Sequence, residues 1–361
     1  MRKIDKLSGL IGIGLLLLSA CSKDPVIEPE EPIQSVDGVY VLNEGGFTQN
    51  NASISYYDFV SATFTSNAFL AANASGDALG DVANDAVIYG SKMYVVVNNS
   101  NKVEVLDAQT LQRKSGGIVR INQPRFLVCT EGKVFVSSYD DHVYVLDTVA
   151  YQIEQKIAVG RDPEMMVALN DKIYVANSGG VSEVYDNRIF IIDAKTYEVN
   201  GTIAVADNLT GLYAGVNNTL YAKSLDVYDA GWNVIAPAKF MVVDIASRQV
   251  SKTFDFQVEQ FAAKDGVAYI YSSDYADEPR VIALDMTSND VENENALNLT
   301  GVSDFVYSIG IDPSNGEIWL GDAVSYGSTG KVFHYANDGQ QVKQSFNTGY
   351  YPKKFVFKNA N

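Results

Sequence analysis

The sequence of 361 residues predicts an all-β fold, a closed seven-bladed β-propeller with four-stranded blades. Three observations support this prediction. A pair of short apolar segments around a polar loop recurs seven times, turn-forming residues precede the pairs, and the last strand matches one that the first unit lacks. The pair is clearest in residues 133–147, where residues 134–136 and 143–146 are apolar and the residues between them are polar. This pattern is typical of two antiparallel strands.

The two strands of the pair recur along the whole chain. Successive units are separated by 40 to 51 residues, a spacing typical of four short strands per propeller blade. The first strand of the pair occurs at residues 38–42, 92–97, 133–136, 172–175, 219–222, 267–270 and 317–320. The second strand ends at Asp58, Asp107, Asp147, Asp193, Asp244, Asp285 and Ala336.

A further strand precedes six of the seven pairs, as at residues 124–128 and 163–167. It joins the pair through residues such as Glu131-Gly132, which tolerate the positive φ of tight turns. The first unit has no such strand before it, but residues 352–357 near the C-terminus match the pattern. We therefore expect the C-terminal strand to pair with the N-terminal unit and close the ring. Closure removes the exposed edge that an open array of sheets would keep.

The first twenty residues predict an export signal. Basic Arg2, Lys3 and Lys6 precede the apolar residues 10–18, which are too short to form a permanent membrane span. The apolar run ends in Leu-Ser-Ala-Cys, which resembles a bacterial lipobox, so we expect lipidation of Cys21. An ordinary signal peptide with an incidental cysteine is the alternative.

The sequence divides into three parts: a signal peptide at residues 1–20, a tether at 21–35 and the propeller at 36–361. Residues 22–32 are rich in proline and acidic residues, so they cannot bury a core. Lys23-Asp24 and the acidic residues that follow resemble the export tag of surface-exposed lipoproteins, although a generic linker has the same composition. We expect the protein at the outer membrane, exposed at the cell surface and held by its lipid anchor alone.

Charge and motif content narrow the function classes. The formal net charge of −17 disfavours nucleic acids and anionic membrane surfaces as partners and favours cationic ligands. The two histidines, His142 and His334, are far apart in the sequence, and no HExxH, GxSxG or phosphate-binding motif occurs outside the signal peptide. We therefore expect no enzyme, no metal site and no cofactor. A propeller enzyme of the lactonase or quinoprotein type, using loop carboxylates, is the alternative.

One face of the propeller is expected to carry the binding site. In each blade, the loop between the second and third strands and the connection to the next blade lie at the same end. The long loops belong to this set, whereas the other turns are short, and long loops on a rigid scaffold commonly bind ligands. They comprise residues 44–51, 70–84, 177–187, 224–238, 272–279 and 322–330.

These loops combine aromatic residues with aspartates, a composition typical of recognition surfaces. For any single residue, ordinary solvated loop composition is the alternative, so the prediction concerns the face as a whole. The candidate ligand-binding residues are Phe47, Tyr139, Asp140, Tyr185, Asp186, Tyr228, Asp229, Trp232, Asp274, Tyr275, Tyr326 and Tyr351.

The repeated KIYVAN-like strand, seen at residues 172–177, resembles the repeats of YVTN/YncE-like seven-bladed propellers. Residues 40–45 (YVLNEG) and 53–57 (SISYY) are similar to the opening of the surface-lipoprotein branch of that family. The resemblance spans residues 38–358. The branch includes BtuG-type lipoproteins, which capture cobalamin at the cell surface and pass it to a TonB-dependent outer-membrane transporter. The resemblance implies non-enzymatic capture of cobalamin or a similar scarce, bulky nutrient; an adhesion or protein-interaction module is the alternative.

Overall fold

A computed structural model describes residues 35–73, 78–182, 184–273 and 278–360. This part of the chain contains 30 strands and one short helix, α1 (Ala68–Ala72), too short to cross a membrane. Seven four-stranded antiparallel sheets form the blades, and β18 and β19 form a separate hairpin. The predicted all-β, seven-bladed propeller is confirmed.

The strands of the first four blades follow the chain, except that β30 completes blade 1. Blade 1 contains β30 (Pro352–Asn359), β1 (Val36–Asn43), β2 (Ser53–Asp58) and β3 (Thr63–Thr65). Blade 2 contains β4 (Ala83–Tyr89), β5 (Lys92–Val97), β6 (Lys102–Asp107) and β7 (Arg113–Arg120). Blade 3 contains β8 (Pro124–Thr130), β9 (Lys133–Ser138), β10 (His142–Asp147) and β11 (Ile153–Ala158). Blade 4 contains β12 (Pro163–Leu169), β13 (Lys172–Asn177), β14 (Arg188–Asp193) and β15 (Val199–Ala204).

The remaining three blades follow the same order, and blade 5 carries the extra hairpin. Blade 5 contains β16 (Leu209–Ala214), β17 (Thr219–Ser224), β20 (Phe240–Asp244) and β21 (Gln249–Phe254), with β18 (Val227–Tyr228) and β19 (Val234–Ala236) inserted. Blade 6 contains β22 (Gln260–Lys264), β23 (Val267–Ser272), β24 (Arg280–Asp285) and β25 (Asp290–Asn293). Blade 7 contains β26 (Val306–Ile311), β27 (Ile318–Asp322), β28 (Thr329–Tyr335) and β29 (Val342–Tyr350).

The core lies between blades. The two middle strands of a blade are buried on both faces, which explains their continuous apolar sequences, whereas an outer strand such as β11 is mostly exposed. An aromatic residue recurs in the second strand of each of several blades, which is the first strand of the repeated pair. It is buried as predicted, in Tyr94, Phe135, Tyr174 and Tyr221. Burying each such ring stabilises the fold by about 1.5–3 kcal/mol.

The ring closes as the sequence predicts. Strand β30 pairs antiparallel with β1, and Tyr40 lies opposite Val356. The first strand of each blade lies at the centre, so β30 takes the inner position of blade 1, between β26 and β4. The closing strand therefore supplies the one element that blade 1 lacks at its N-terminal end.

The inner strands begin with an irregularity in six blades. The pairing register shifts by one residue directly after the first paired position, which is the signature of a β-bulge. Bulges redirect side chains and are common next to functional sites. The residues that directly follow the first paired position are Asn84, Arg125, Glu164, Thr210, Tyr307 and Lys353.

The two ends of the ring differ. One end carries the loops between the second and third strands and the connections between blades, and we call it the long-loop face. The other end carries short turns, and we call it the short-turn face. The first described residue, Ser35, lies at the short-turn face, where its carbonyl oxygen accepts the Ala360 N–H at 2.7 Å.

Candidate functional site

A cavity of about 470 Å³ opens on the long-loop face where blades 7 and 1 meet. Its volume falls in the range typical of small-molecule sites. Ring closure forms it, because its walls come from opposite ends of the chain. The lining residues are Glu44, Gly45, Gly46, Phe47, Gln49, Asn51, Val82, Phe305, Tyr307, Tyr326, Gly327, Tyr350 and Tyr351.

Aromatic rings form much of the cavity wall. The Tyr351 ring lies at the centre of this aromatic group. Its centroid is 5.3 Å from the ring centroid of Tyr307, 6.2 Å from that of Tyr326 and 6.5 Å from that of Phe305. Tyr351 is buried and its hydroxyl accepts the Gly327 N–H at 2.7 Å, so its position is fixed. Tyr326 is 89% exposed and is available to a ligand. Mutually inclined rings of this kind offer apolar area and π faces together.

The backbone beneath these rings adopts an unusual conformation. Tyr351 has φ 55° and Val82 has φ 59°, both in the left-handed region. The residues before three other inner strands, Gln123, Asp162 and Asn208, have φ between 40° and 59°, so the conformation belongs to the repeat. A β-branched or bulky residue there costs of order 1–3 kcal/mol. The repeat therefore tolerates strain at the two positions that line the cavity.

Glu44 lies at the base of the cavity. Its N–H donates to the Tyr351 carbonyl oxygen at 2.9 Å, and its carbonyl oxygen accepts the Ala83 N–H at 2.9 Å. The Tyr307 hydroxyl donates to Glu44 Oε2, and Lys353 Nζ lies 3.8 Å from the same oxygen. Burial, together with the negative charge of Glu44, raises the pKa of Tyr307, so this phenol stays protonated as a donor.

Next to Glu44, Gly45 makes the loop turn possible. It has φ 82°, and a Cβ at this position would approach the Ala52 nitrogen to 2.6 Å. Only glycine fits both requirements. The sharp turn carries Phe47, which is 71% exposed, out over the cavity.

A second polar cluster lies at the start of the inner strands of blades 3 and 4. Arg125 donates to Glu164 Oε2 through Nε at 3.0 Å and Nη2 at 2.9 Å. The Tyr139 hydroxyl donates to Glu164 Oε1 at 2.6 Å, and the Arg125 guanidinium lies 4.6 Å from the centre of the Tyr139 ring. Burial, followed by the charge of Glu164, raises the pKa of Tyr139. Arg125 and Glu164 occupy the same bulge position in their inner strands as Tyr307, which lines the cavity, does in blade 7.

Three further candidates form a separate aromatic group, with Tyr185 on the long loop of blade 4 and Tyr228 and Trp232 on the hairpin of blade 5. The Tyr228 N–H donates to the Tyr185 hydroxyl oxygen at 3.3 Å, and the Tyr228 and Trp232 ring centroids are 6.1 Å apart. Trp232 is 83% exposed. This group belongs to blades 4 and 5, whereas the cavity belongs to blades 7 and 1.

The candidate aspartates that the structure describes accept hydrogen bonds from residues of their own loops and of neighbouring strands. Asp140 accepts the Tyr144 hydroxyl at 2.6 Å and Lys156 Nζ at 2.9 Å. The buried Asp186 accepts two Arg188 nitrogens at 2.8 and 2.6 Å. Backbone hydrogen bonds to Asp229, led by the Asn233 N–H at 2.9 Å, lower the pKa of its carboxyl group.

Three sequence-based assignments fall outside the described residues. They are Asp274, Tyr275 and the lipidation site Cys21, the last together with the signal peptide and most of the tether. Among the residues that are described, no group of three or more His, Cys, Asp or Glu side chains is arranged to hold a metal ion.

A smaller cavity of about 330 Å³ lies on the short-turn face, lined in part by Glu317, His334 and Gln344. His334 stacks on Trp319 at 3.9 Å, and its Nε2 lies 2.7 Å from Glu317 Oε2. Gln344 Nε2 donates to His334 Nδ1 at 3.1 Å. Burial lowers the pKa of His334 despite the nearby carboxylate. The two ring nitrogens of His334 thus contact Glu317 and Gln344, and the imidazole packs where blades 7 and 1 meet.

Sequence reasoning missed Glu44, Arg125, Glu164, Tyr307 and Lys353. Glu44 and its loop were recognised, but the carboxylate itself was not selected. The other four lie in inner strands, which the apolar pattern assigns to the scaffold. The register shift at the start of these strands is a structural signal for them, and it cannot be read from sequence alone.

Comparison with known proteins agrees with the fold. The chain matches the model of DUF5074, a domain of unknown function, over residues 37–358. No curated protein sequence matches it significantly. The chain therefore belongs to the DUF5074 family, whose function is unknown.

Solved structures with a similar fold come from varied propellers. A quinoprotein alcohol dehydrogenase-like protein from Bacteroides thetaiotaomicron matches with 13% identity and a TM-score of 0.64, over 90% of this chain and 79% of that chain. The WD40 propeller domain of Doa1 matches with 11% identity and a TM-score of 0.54, over 80% of this chain and 87% of that chain. BamB from Moraxella catarrhalis matches with 16% identity and a TM-score of 0.50, over 87% of this chain and 83% of that chain. At these identities the likeness concerns the fold alone, so membership in the DUF5074 family is what identifies this propeller.

Proposed function

We propose that this protein captures a small molecule on its long-loop face and releases it chemically unchanged. The observation that carries the proposal is the aromatic cavity between blades 7 and 1. Its fixed part, Tyr307 and Tyr351, sits at the start of inner strands, and its exposed part, Phe47 and Tyr326, sits on loops. A rigid base with exposed aromatic edges suits reversible binding, because little side-chain freedom is lost when the ligand enters.

We propose that the protein acts at the cell surface, held there by a lipid on Cys21. The lipobox-like Leu-Ser-Ala-Cys sequence and the acidic, proline-rich residues 22–32 support this placement. The proposed role is surface capture for a TonB-dependent outer-membrane transporter.

Cobalamin is the first ligand to test, because the chain resembles YncE-like surface lipoproteins of the BtuG type. The cavity would hold one part of so bulky a molecule, and the open face around it would leave room for the rest. Calorimetric titration of the full chain in detergent with cyanocobalamin tests this. Saturable heat at micromolar concentration is expected, and the absence of both heat and retention would refute the cobalamin assignment.

A double variant, Phe47→Ala with Tyr326→Ala, tests the site itself. Both side chains are largely exposed, so the fold should be unaffected. Losing both aromatic contacts should weaken binding by about 1–3 kcal/mol, or roughly 5- to 150-fold. The matched control, Val60→Ala with Val149→Ala, removes exposed apolar groups from the short-turn face and should leave affinity unchanged. Equal affinities for both double variants would place the ligand elsewhere.

Docking of a partner protein is a second candidate function, favoured by the blade 5 hairpin. Its exposed apolar residues include Trp232, Val234 at 51% and Ile235 at 64%. Exposed apolar groups that cluster on one projecting element commonly mark protein-binding sites. Tyr228→Ala with Trp232→Ala should weaken capture of the purified transporter and leave cyanocobalamin affinity unchanged. Weakened cobalamin binding would instead make the hairpin a ligand anchor.

A further inference from the structure

Among the described residues that line the cavity, Glu44 is the only one with a charged side chain. The other lining residues are aromatic, small and apolar, or polar and neutral. Oε2 of Glu44 accepts the Tyr307 hydroxyl, whereas no described residue donates to its Oε1, and this second oxygen is not shielded from solvent. The wall of the cavity therefore presents one carboxylate oxygen that a ligand can reach.

Aromatic rings form the wall next to this carboxylate. The ring planes of Tyr326 and Tyr351 are inclined by 56° with centroids 6.2 Å apart, and those of Phe305 and Tyr351 are inclined by 85° with centroids 6.5 Å apart. Inclined rings form corners in which a bound group faces more than one π surface, and the face of an aromatic ring attracts cations. Carboxylate and rings thus favour the same sign of charge in a ligand.

The protein already holds one of its own cations against these groups. Lys353 Nζ lies 3.8 Å from Glu44 Oε2 and 4.9 Å from the centre of the Tyr307 ring. Lys353 does not line the cavity, so its ammonium group leaves the cavity side of Glu44, at Oε1, open. A second cation can use that side, although the charge of Lys353 repels it and lowers its affinity.

The polar atoms of the cavity wall are largely committed to the protein. The Tyr307 hydroxyl donates to Glu44, the Tyr351 hydroxyl accepts the Gly327 N–H at 2.7 Å, and Asn51 Oδ1 accepts a backbone N–H of its own loop at 2.8 Å. A primary ammonium group has three N–H donors, and each one that loses water without finding an acceptor weakens binding. A trimethylammonium group has no N–H donors and presents methyl groups to the rings, so it fits this wall better.

We infer that the cavity binds ligands through an alkylated ammonium group, and that Glu44 determines this specificity as the countercharge. The rings of Phe305, Tyr326 and Tyr351 cover the alkyl groups, and Glu44 Oε1 compensates the positive charge. The formal net charge of −17 also favours the approach of cations. This inference rests on the proposed function, namely that the cavity binds a small molecule, and names an alkylammonium compound as the class that the cavity itself recognises.

Four small probes separate charge from shape. Choline carries a trimethylammonium head, and 3,3-dimethyl-1-butanol is its neutral isostere with carbon in place of nitrogen. The compound 3,3-dimethylbutanoate carries the same branched head with a negative charge, and ethanolamine carries an unalkylated ammonium group. Ligand-observed NMR titrations with the full chain give their relative affinities. Choline should bind about tenfold or more tightly than its neutral isostere and more tightly than ethanolamine, and 3,3-dimethylbutanoate should bind most weakly.

Variants then test the two charged groups at the cavity. Glu44→Gln keeps the size of the side chain and an acceptor for the Tyr307 hydroxyl, so the fold should be unaffected. In this variant the preference for choline over its neutral isostere should fall to within about threefold. Lys353→Met removes the repelling ammonium group and should raise the affinity for choline roughly two- to fivefold. Glu198→Gln and Lys195→Met make the same changes of charge in a turn of the short-turn face and should leave choline binding unchanged.

The outcomes separate the inference from the proposed function. Equal affinity for choline and 3,3-dimethyl-1-butanol, tighter binding of ethanolamine than of choline, or an unchanged choline preference in Glu44→Gln overturns the inference. If Glu44→Gln fails to fold, unchanged choline affinity in Lys353→Met overturns it instead. Failure of all four probes also overturns the inference. If the Phe47 and Tyr326 double variant still weakens cyanocobalamin binding, the proposed function survives each of these results, whereas failure of cyanocobalamin as well would remove the proposed function too.

Discussion

Replacing Asp85 with alanine should weaken the ring close to the point where it closes. Asp85 lies on β4 of blade 2 and is 4% exposed. Its Oδ2 accepts the Leu127 N–H of blade 3 at 3.0 Å, and its Oδ1 accepts Lys354 Nζ of blade 1 and the Ala86 N–H at 2.9 Å. One carboxylate therefore connects the inner strands of three consecutive blades.

The size of the effect follows from what each partner loses. A hydrogen bond to a charged group contributes about 1.5–3 kcal/mol, and the Leu127 and Ala86 N–H groups are buried and cannot recover it from water. The Lys354 side chain is 41% exposed, so solvent replaces most of its interaction and we assign it little. The free energy of unfolding should fall by about 3–5 kcal/mol in Asp85→Ala.

Urea unfolding followed by tryptophan fluorescence measures this change. Asp85→Asn keeps one acceptor oxygen and should lose only about 1–2 kcal/mol. Lys354→Met removes the half-exposed partner and should lose about 1 kcal/mol or less. If Asp85→Ala unfolds within 1 kcal/mol of the parent protein, the carboxylate does not connect the blades as argued.

Three other predictions concern the same fold. Deleting residues 352–361 should abolish cooperative unfolding, because β1 loses its paired strand and β26 and β4 lose the inner strand that lies between them; a sharp transition would contradict ring closure. Val82→Asn should raise the free energy of unfolding by about 1 kcal/mol, since asparagine tolerates the left-handed φ of 59°; a decrease in urea unfolding experiments would show that no strain is stored there. Burial lowers the pKa of His334 below its ordinary 6.5, so below that pH the unfolded chain binds more protons than the folded one. Stability should therefore fall as the pH drops from 6.5 toward the folded-state pKa, and His334→Gln should flatten this slope; equal slopes in both proteins would exclude His334 as the cause.

Much of the fold could be predicted because the repeat carries its own signal. The aromatic position in the second strand of the blade, occupied by Tyr94 in blade 2 and Phe135 in blade 3, identifies the buried core of successive blades. The match between residues 352–357 and earlier inner strands predicts closure without any knowledge of distance. The hairpin of β18 and β19 was missed because strands of two and three residues are too short to show a period.

The candidate site was predictable only as a face. Phe47, Tyr326 and Tyr351 do come together, whereas Tyr139 and Trp232 lie in other groups on that face. The sequence places all five on loops of one end, but which loops meet depends on the order of blades around the closed ring. The polar residues of the inner strands were hidden for another reason, because a one-residue register shift decides where they point.

Hydrogen exchange of the full chain with and without cyanocobalamin tests the central claim most directly, because it locates the bound ligand on the ring. If the aromatic cavity is the binding site, exchange should slow at residues 44–51 and 323–328, including the Gly327 N–H, and remain unchanged in the turns of the short-turn face. Protection confined to residues 227–236, or no protection at saturating ligand, would contradict the claim.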